Sequence, residues 1–282
     1  MLSYRHAFHA GNHADVLKHH LLVALLDYMN QKDKAYWYLD THAGAGCYQL
    51  DTGYAARNAE FAGGIARLWT RTDLPEALSH YVDLIRSFNP DGKLTFYPGS
   101  PLIANEAMRE EDKLRLFELH PTDFPILAEN LEPVGRRALI QKGDGFAGLK
   151  SLLPPPPRRA VTLIDPPYEE KQDYERVAVA MEDALKRFAT GVYAIWIPML
   201  QRPEPDRLIE RLKALPAKNW LRATLNVHRP RDDGFGMHGS TMMVINPPWR
   251  LYETLEATLP ALASLLALDK GAGFVLEQSP AE

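Results

Sequence analysis

The chain has 282 residues, 46% of them hydrophobic, which is enough apolar material for a substantial core and too much for a disordered polymer. A formal net charge of −4 argues against a surface that grips nucleic acid everywhere, so any such contact must be local. The single cysteine, Cys47, excludes an internal disulfide; the polar start is unlike a secretory leader and no apolar run spans a bilayer, so a soluble cytoplasmic protein is expected.

Asn12 is a candidate N-cap, and Val16, Leu17, Leu21, Leu22, Leu25 and Leu26 recur behind it at helical spacing, which predicts a first helix to about Tyr28. The stretch "AYWYLDTHAGAG" then reads as a strand over residues 35–39 that breaks into a glycine loop at Gly44 and Gly46. Between Tyr54 and Phe96 the pattern is that of two short amphipathic helices with no strand between them, so residues 53–97 are expected to form a helical insertion between residues 1–52 and 98–282. Trp69 and Tyr81 within it read as core packing.

Alternation resumes at "YPGSPLIANEAMREED", where Ser100 is expected to cap a helix that starts at Pro101. Strand "LRLFEL", helix "PTDFPILAENL", strand "RALIQKGD" and a short helix from Gly145 follow. A tetraproline spacer, Pro154 to Pro157, leads to strand "AVTLID", a helix around 173–188, strand "VYAIWI" and a helix around 205–214. The last predicted strands, "LRATLNVH" and "TMMVINPP", lack an intervening helix and should pair antiparallel. The whole predicts an α/β fold with a mostly parallel sheet, helices on both faces, and an antiparallel final strand.

In such sheets ligands gather at the carboxyl ends of the strands. Asp40 to Gly46, Glu118, Asp144 and Asp165 all fall there. A dinucleotide fingerprint would need a third glycine at Gln49, which weakens a nicotinamide-dependent oxidoreductase. Glu118 can accept hydrogen bonds from two ribose hydroxyls, or be a solvated strand end. Asp144 can receive an adenine amine while Gly145 leaves room for the ring, or be a helix N-cap.

The run "VTLIDPPYEE" ends on Asp165-Pro166-Pro167-Tyr168. An aromatic amine is a poor nucleophile because its lone pair is delocalised. If Asp165 and the Pro166 carbonyl both accept from it, the nitrogen is drawn toward a tetrahedral shape and its electrons become available; consecutive prolines hold that carbonyl in one direction. Tyr168 offers a face on which an extruded base can stack. The matching electrophile is a sulfonium methyl, as in S-adenosylmethionine. A second tetrapeptide, Asn246-Pro247-Pro248-Trp249, has similar chemistry, but it should end an antiparallel strand and open on the opposite edge of the sheet, so it reads as a structural turn.

In its motifs "LSYRHAFHAGNHADVLKH", "LDTHAGAG", "YPGSPLIA", "ELHP", "DGF", "LIDPPYE" and "INPPW", in this order, the chain resembles DPPY-type amino methyltransferases, and among them the RlmJ family of bacterial 23S rRNA adenine-N(6)-methyltransferases. The resemblance implies a Rossmann-like class I methyltransferase domain with a small helical insertion, S-adenosylmethionine as cofactor, 23S rRNA as partner, and no metal. It implies that His19, His42, Ser100, Glu118, Asp144, Gly145 and Asp165 contact the cofactor, that Asp165 is also the catalytic acceptor, and that Tyr4 meets the RNA. Ser100 would begin a helix whose free amides attract the cofactor carboxylate, with His19 and Lys18 adding positive charge. Tyr4, Arg5, His6 and His9 mix stacking surface with phosphate donors, which suits an RNA-facing segment better than zinc. An adenine-specific DNA methyltransferase and a catalytically inactive nucleic-acid-binding protein are the alternatives.

Overall fold

The computed structural model describes residues 6–280. Helix α1 (His13–Asn30) leads into β1 (Trp37–Asp40), and a short antiparallel pair, β2 (Cys47–Gln49) and β3 (Phe96–Pro98), brackets α2 (Gly53–Asn58), α3 (Ala66–Trp69) and α4 (Glu76–Ser87). Helix and strand then alternate through α5 (Ser100–Ala107), β4 (Lys113–Glu118), α6 (Asp123–Asn130), β5 (Ala138–Lys142), α7 (Gly145–Leu152), β6 (Ala160–Ile164), α8 (Gln172–Arg187), β7 (Val192–Leu200) and α9 (Pro203–Lys213). Strands β8 (Trp220–Asn226) and β9 (Met237–Ile245), helix α10 (Leu251–Leu265) and strand β10 (Gly273–Gln278) complete the described chain.

The main sheet has the order β10-β8-β9-β7-β6-β1-β4-β5, with β7, β6, β1, β4 and β5 all parallel. The chain steps outward from β1 to β4 and β5 on one side and to β6 and β7 on the other, so the strand order reverses between β1 and β6. The loops after these two strands diverge and leave a crevice between them. On the far side β9 runs against β7, β8 against β9 and β10 against β8. The expected antiparallel ending is therefore larger than one strand.

Burial explains why the central strands are apolar on both faces. Along β6, Val161 and Leu163 enter one core while Ala160 and Ile164 enter the other, the alternation of a strand covered by helices on both sides. The first core gathers α1, α4, α5 and α10; the second gathers α8 and α9. Helix α1 is buried nearly all round, with Asn12 capping it through hydrogen bonds from the amides of Ala14 and Asp15. Its polar residues Asp15, Lys18, His19 and His20 are buried with it, which demands partners for each. Among the described residues no helix is long and apolar enough to cross a membrane.

Candidate active site

A cavity of about 250 Å³ opens at the carboxyl ends of β1, β4, β5 and β6, lined by the loops that follow them and by α1. Its wall holds eight of the ten residues singled out from the sequence: His6, His19, His42, Ser100, Glu118, Asp144, Gly145 and Asp165. Tyr4 lies outside the described residues. Tyr168 is not on the wall.

The loop after β1 is built from inside. Asp40 is fully buried and accepts from the hydroxyls of Tyr38 at 2.7 Å and Ser100 at 2.6 Å, and from the amide of His42 at 3.2 Å. Burial pushes its carboxyl up, against these donors. Asp40 thus ties the β1 loop to the start of α5. Gly99, not Ser100, occupies the cap position of that helix, and Ser100 spends its hydroxyl on Asp40. The expected cap is displaced by one residue, and no side chain caps α5.

Glu118 accepts from the Gly44 amide at 2.7 Å through one oxygen and from the His120 amide at 2.6 Å through the other, and burial pushes its carboxyl up. Each oxygen keeps a further lone pair, so the group can still receive a diol. Gly44 has φ +63°, and a Cβ there would meet the Tyr48 hydroxyl at 2.3 Å. Asp144 caps α7 through the Phe146 amide at 2.9 Å while its other oxygen pairs with Arg176 at 2.6 Å, so it is the helix N-cap and also stands on the cavity wall. A Cβ on Gly145 would lie 2.0 Å from the Thr41 carbonyl. Close packing against the β1 loop, rather than a ligand, therefore requires this glycine.

The catalytic candidate is held by a residue that the sequence reading had treated only as extra charge. Lys18 reaches Asp165 Oδ2 at 2.6 Å and Asp15 Oδ1 at 2.9 Å, and Asp15 Oδ2 meets His6 Nε2 and the Gly11 amide, each at 2.9 Å. Burial alone would lower the Lys18 ammonium; the carboxylates of Asp15 and Asp165 outweigh it and hold the group charged. Burial would likewise raise Asp15, but His6 and Lys18 bring its carboxyl well below the usual range. Lys18 engages only Oδ2 of Asp165. Oδ1 has no hydrogen-bond partner among the described residues.

His19 differs from expectation. It is buried beside the charged Lys18, and burial drives its pKa down to about 3, so it enters the cavity as a neutral imidazole and adds no positive charge. His42 is pushed down to about 4 for the same reason.

Tyr168 also departs from the expected open platform. It is 4% exposed, donates its hydroxyl to the Trp196 carbonyl at 2.7 Å, and packs against Tyr174 with ring centroids 4.5 Å apart. Its backbone lies at φ +51°, a conformation that a bulky residue adopts only where its surroundings impose it. Strain of that kind concentrates at working sites. Asn246 behaves as the structural turn predicted for it: at the opposite end of the sheet, its side chain donates to the carbonyls of Ala189 and Gly191, both at 2.8 Å. His9 pairs with Glu60 at 3.0 Å, which fastens the segment before α1 to the helices between β2 and β3. No group of three or more metal-binding side chains is arranged for an ion among the described residues.

The buried imidazoles make stability depend on pH. His19 and His20 are neutral in the folded chain, with values of about 3 and about 4, and ordinary when unfolded. Their folded values are depressed, so the stability is full above pH 6.5 and is lost as pH falls toward them. Each should remove about 1.4 kcal/mol per pH unit within that window. Urea midpoints measured between pH 7 and pH 5 should fall accordingly, and His20→Gln should flatten the slope.

The comparisons agree with this architecture. Residues 33–276 match the family described as ribosomal RNA large subunit methyltransferase D, RlmJ. The chain is 49% identical over 266 residues to "Ribosomal RNA large subunit methyltransferase J" of Escherichia coli (strain K12), covering 94% of each, and 45% identical over 278 residues to the protein of that name from Haemophilus influenzae, covering 98% of each. A crystal structure of a Legionella pneumophila protein superposes with a TM-score of 0.88 at 33% identity, over 95% of this chain and 98% of that one. A strand order that reverses beside Asp165, a wall of carboxylates at the strand ends, and relatives of this closeness over nearly the whole length lead to one assignment: the chain belongs to the RlmJ family of ribosomal RNA large subunit methyltransferases.

Proposed function

We propose that the protein methylates the exocyclic 6-amino group of one adenosine in 23S rRNA, in the cytoplasm, with S-adenosylmethionine as the donor. The observation that carries this reading is Asp165 at the edge of the β1/β6 crevice, with Oδ2 fixed by Lys18 and Oδ1 open beside Pro166. The cavity chemistry fits the cofactor: Glu118 retains lone pairs for ribose hydroxyls, Asp144 stands where an adenine amine can donate, and the amide of Ser100, at the start of α5, can donate to a carboxylate. When bound, S-adenosylmethionine supplies an electrophilic methyl.

The chain's own residues do the rest. Asp165 Oδ1 and the Pro166 carbonyl accept the two N–H bonds of the adenine amine, directing its lone pair away from the ring. Lys18 fixes the direction of Asp165, so alignment precedes the reaction. Were the methyl to pass to the amine, with its sulfur–carbon bond breaking as the nitrogen–carbon bond formed, the amine would become cationic, and the Asp165 carboxylate would stabilise that charge until the proton passed to water. RNA rather than DNA is supported by the names of the relatives, both of which act on ribosomal RNA of the large subunit.

The test is direct. Incubation with labelled S-adenosylmethionine and either purified 23S rRNA lacking the modification or genomic DNA should label the RNA alone. Mass spectrometry of the digest should find N(6)-methyladenosine at one position. Label in DNA, or in another nucleoside, would refute the proposal.

A further inference from the structure

The helices between β2 and β3 reach the cavity through two tyrosines. His19 Nδ1 lies 2.7 Å from the Tyr97 hydroxyl, and that hydroxyl lies 2.9 Å from the hydroxyl of Tyr81 on α4. All three side chains are at most 1% exposed, and the His19 and Tyr97 rings overlap with centroids 5.6 Å apart. The second imidazole nitrogen, Nε2, has no hydrogen-bond partner among the described residues, while His19 itself lines the cavity.

Proton placement along this chain follows from what each buried group has available. Tyr97 is the only hydrogen-bond partner of the Tyr81 hydroxyl among the described residues. If Tyr81 donates to Tyr97, Tyr97 donates to His19 Nδ1, every hydroxyl proton is engaged, and the imidazole proton must sit on Nε2. The reverse order leaves the Tyr81 proton without an acceptor among the described residues at a fully buried site, a cost of about 1–3 kcal/mol. The forward order leaves only oxygen lone pairs unused. Burial keeps both phenols protonated, so they remain donors at every working pH. It also keeps the imidazole neutral, so one nitrogen carries the proton and the other does not.

We propose that Tyr81 and Tyr97 are positioning residues that fix His19 as its Nε2–H tautomer, so that the cavity receives a neutral N–H donor for the carboxylate at the amino-acid end of the cofactor. The ligand named here rests on the proposed function; the tautomer does not. A neutral donor of set direction suits a site where Lys18 is already committed to two carboxylates. The arrangement also gives the helical segment a chemical task, since α4 supplies the first hydroxyl of the chain.

Long-range proton–nitrogen correlation spectra of the unliganded protein, labelled at histidine, decide the matter. The wild type should show His19 with Nε2 protonated and Nδ1 bare. Tyr97→Phe should turn this into a mixture or the opposite tautomer, and should weaken S-adenosylhomocysteine binding, measured by calorimetry, about tenfold. Tyr81→Phe should cause a smaller change in the same direction. An Nδ1–H tautomer in the wild type overturns the proposal, and so does a Tyr97→Phe spectrum that keeps the wild-type tautomer. If Tyr97→Phe does not fold, the wild-type spectrum and Tyr81→Phe decide in the same way. Failure of S-adenosylhomocysteine to bind the wild type would remove the cofactor reading and leave the tautomer to stand or fall on its spectrum.

Discussion

Asp165→Ala should lower methyl transfer by about a thousandfold while leaving S-adenosylhomocysteine affinity within a few fold. The reason lies in which atoms the substitution removes. Glu118, Asp144, Ser100 and His19 are anchored independently of Asp165, by the Gly44 and His120 amides, the Phe146 amide, Asp40 and Tyr97 respectively. The cofactor side of the cavity therefore survives. What is lost is the acceptor at the amine and the counter-charge as the nitrogen becomes cationic. Lys18 keeps its bond to Asp15, so the helix that carries it stays in place. Asp165→Asn should lie between wild type and alanine, because an amide oxygen still accepts but carries no charge. Single-turnover rates with 23S rRNA, set beside calorimetric binding of S-adenosylhomocysteine, separate the two effects.

Lys18→Met should destabilise the fold by about 3 kcal/mol, or on the order of 10 °C in thermal midpoint. Lys18 is 4% exposed and neutralises two carboxylates, one of which, Asp15, is 1% exposed. Removing the ammonium leaves Asp15 with His6 and the Gly11 amide, and leaves Asp165 Oδ2 with nothing. An uncompensated buried charge is what makes such a change costly, more than the intrinsic strength of the pair. The effect has a pH signature. Asp15 is depressed below 3.8 in the folded chain, so its contribution is full above that value and is lost as pH falls through the folded one. Without Lys18 the folded value rises, and acid unfolding should begin at a higher pH than in the wild type. Methyl transfer should fall as well, since Asp165 loses the group that orients it.

Much of the site was legible because its residues fall where strands end. A buried apolar run such as "VTLI" halted by Asp165 and two prolines has few purely structural uses, and Glu118 and Asp144 also stand where parallel strands of the same sheet end. Lys18 was harder to read. On a helix a lysine normally belongs to the wet face, and nothing in α1 alone says that its carboxylate partner stands 147 positions away. The one available signal was the compact series Asp15, Lys18, His19 and His20 inside an otherwise apolar stretch, which marks buried polar groups in need of partners.

The same limit applies to the elements left unassigned. Helix α10 contains Pro260, which argues against a helix on local grounds, yet Leu251, Leu255, Leu259 and Leu262 bury one face and hold it. Strand β10 is half-exposed at the sheet edge and lacks clear alternation. Strands β2 and β3 are three residues each, too short for periodicity to show. In all of these, contacts distant in sequence decide the structure. The burial of Tyr168 belongs to the same class: its aromatic face was legible, but the carbonyl of Trp196 that captures its hydroxyl was not.

The measurement closest to the centre of this account is a crystal structure with sinefungin, whose amine stands in for the transferable methyl. The ribose should rest on Glu118 and the purine near Asp144, with the amine turned toward Asp165 and the Pro166 carbonyl at about 3–4 Å. Sinefungin seated away from the β1/β6 crevice, or seated there with its amine pointing away from Asp165, would contradict the assignment of that carboxylate.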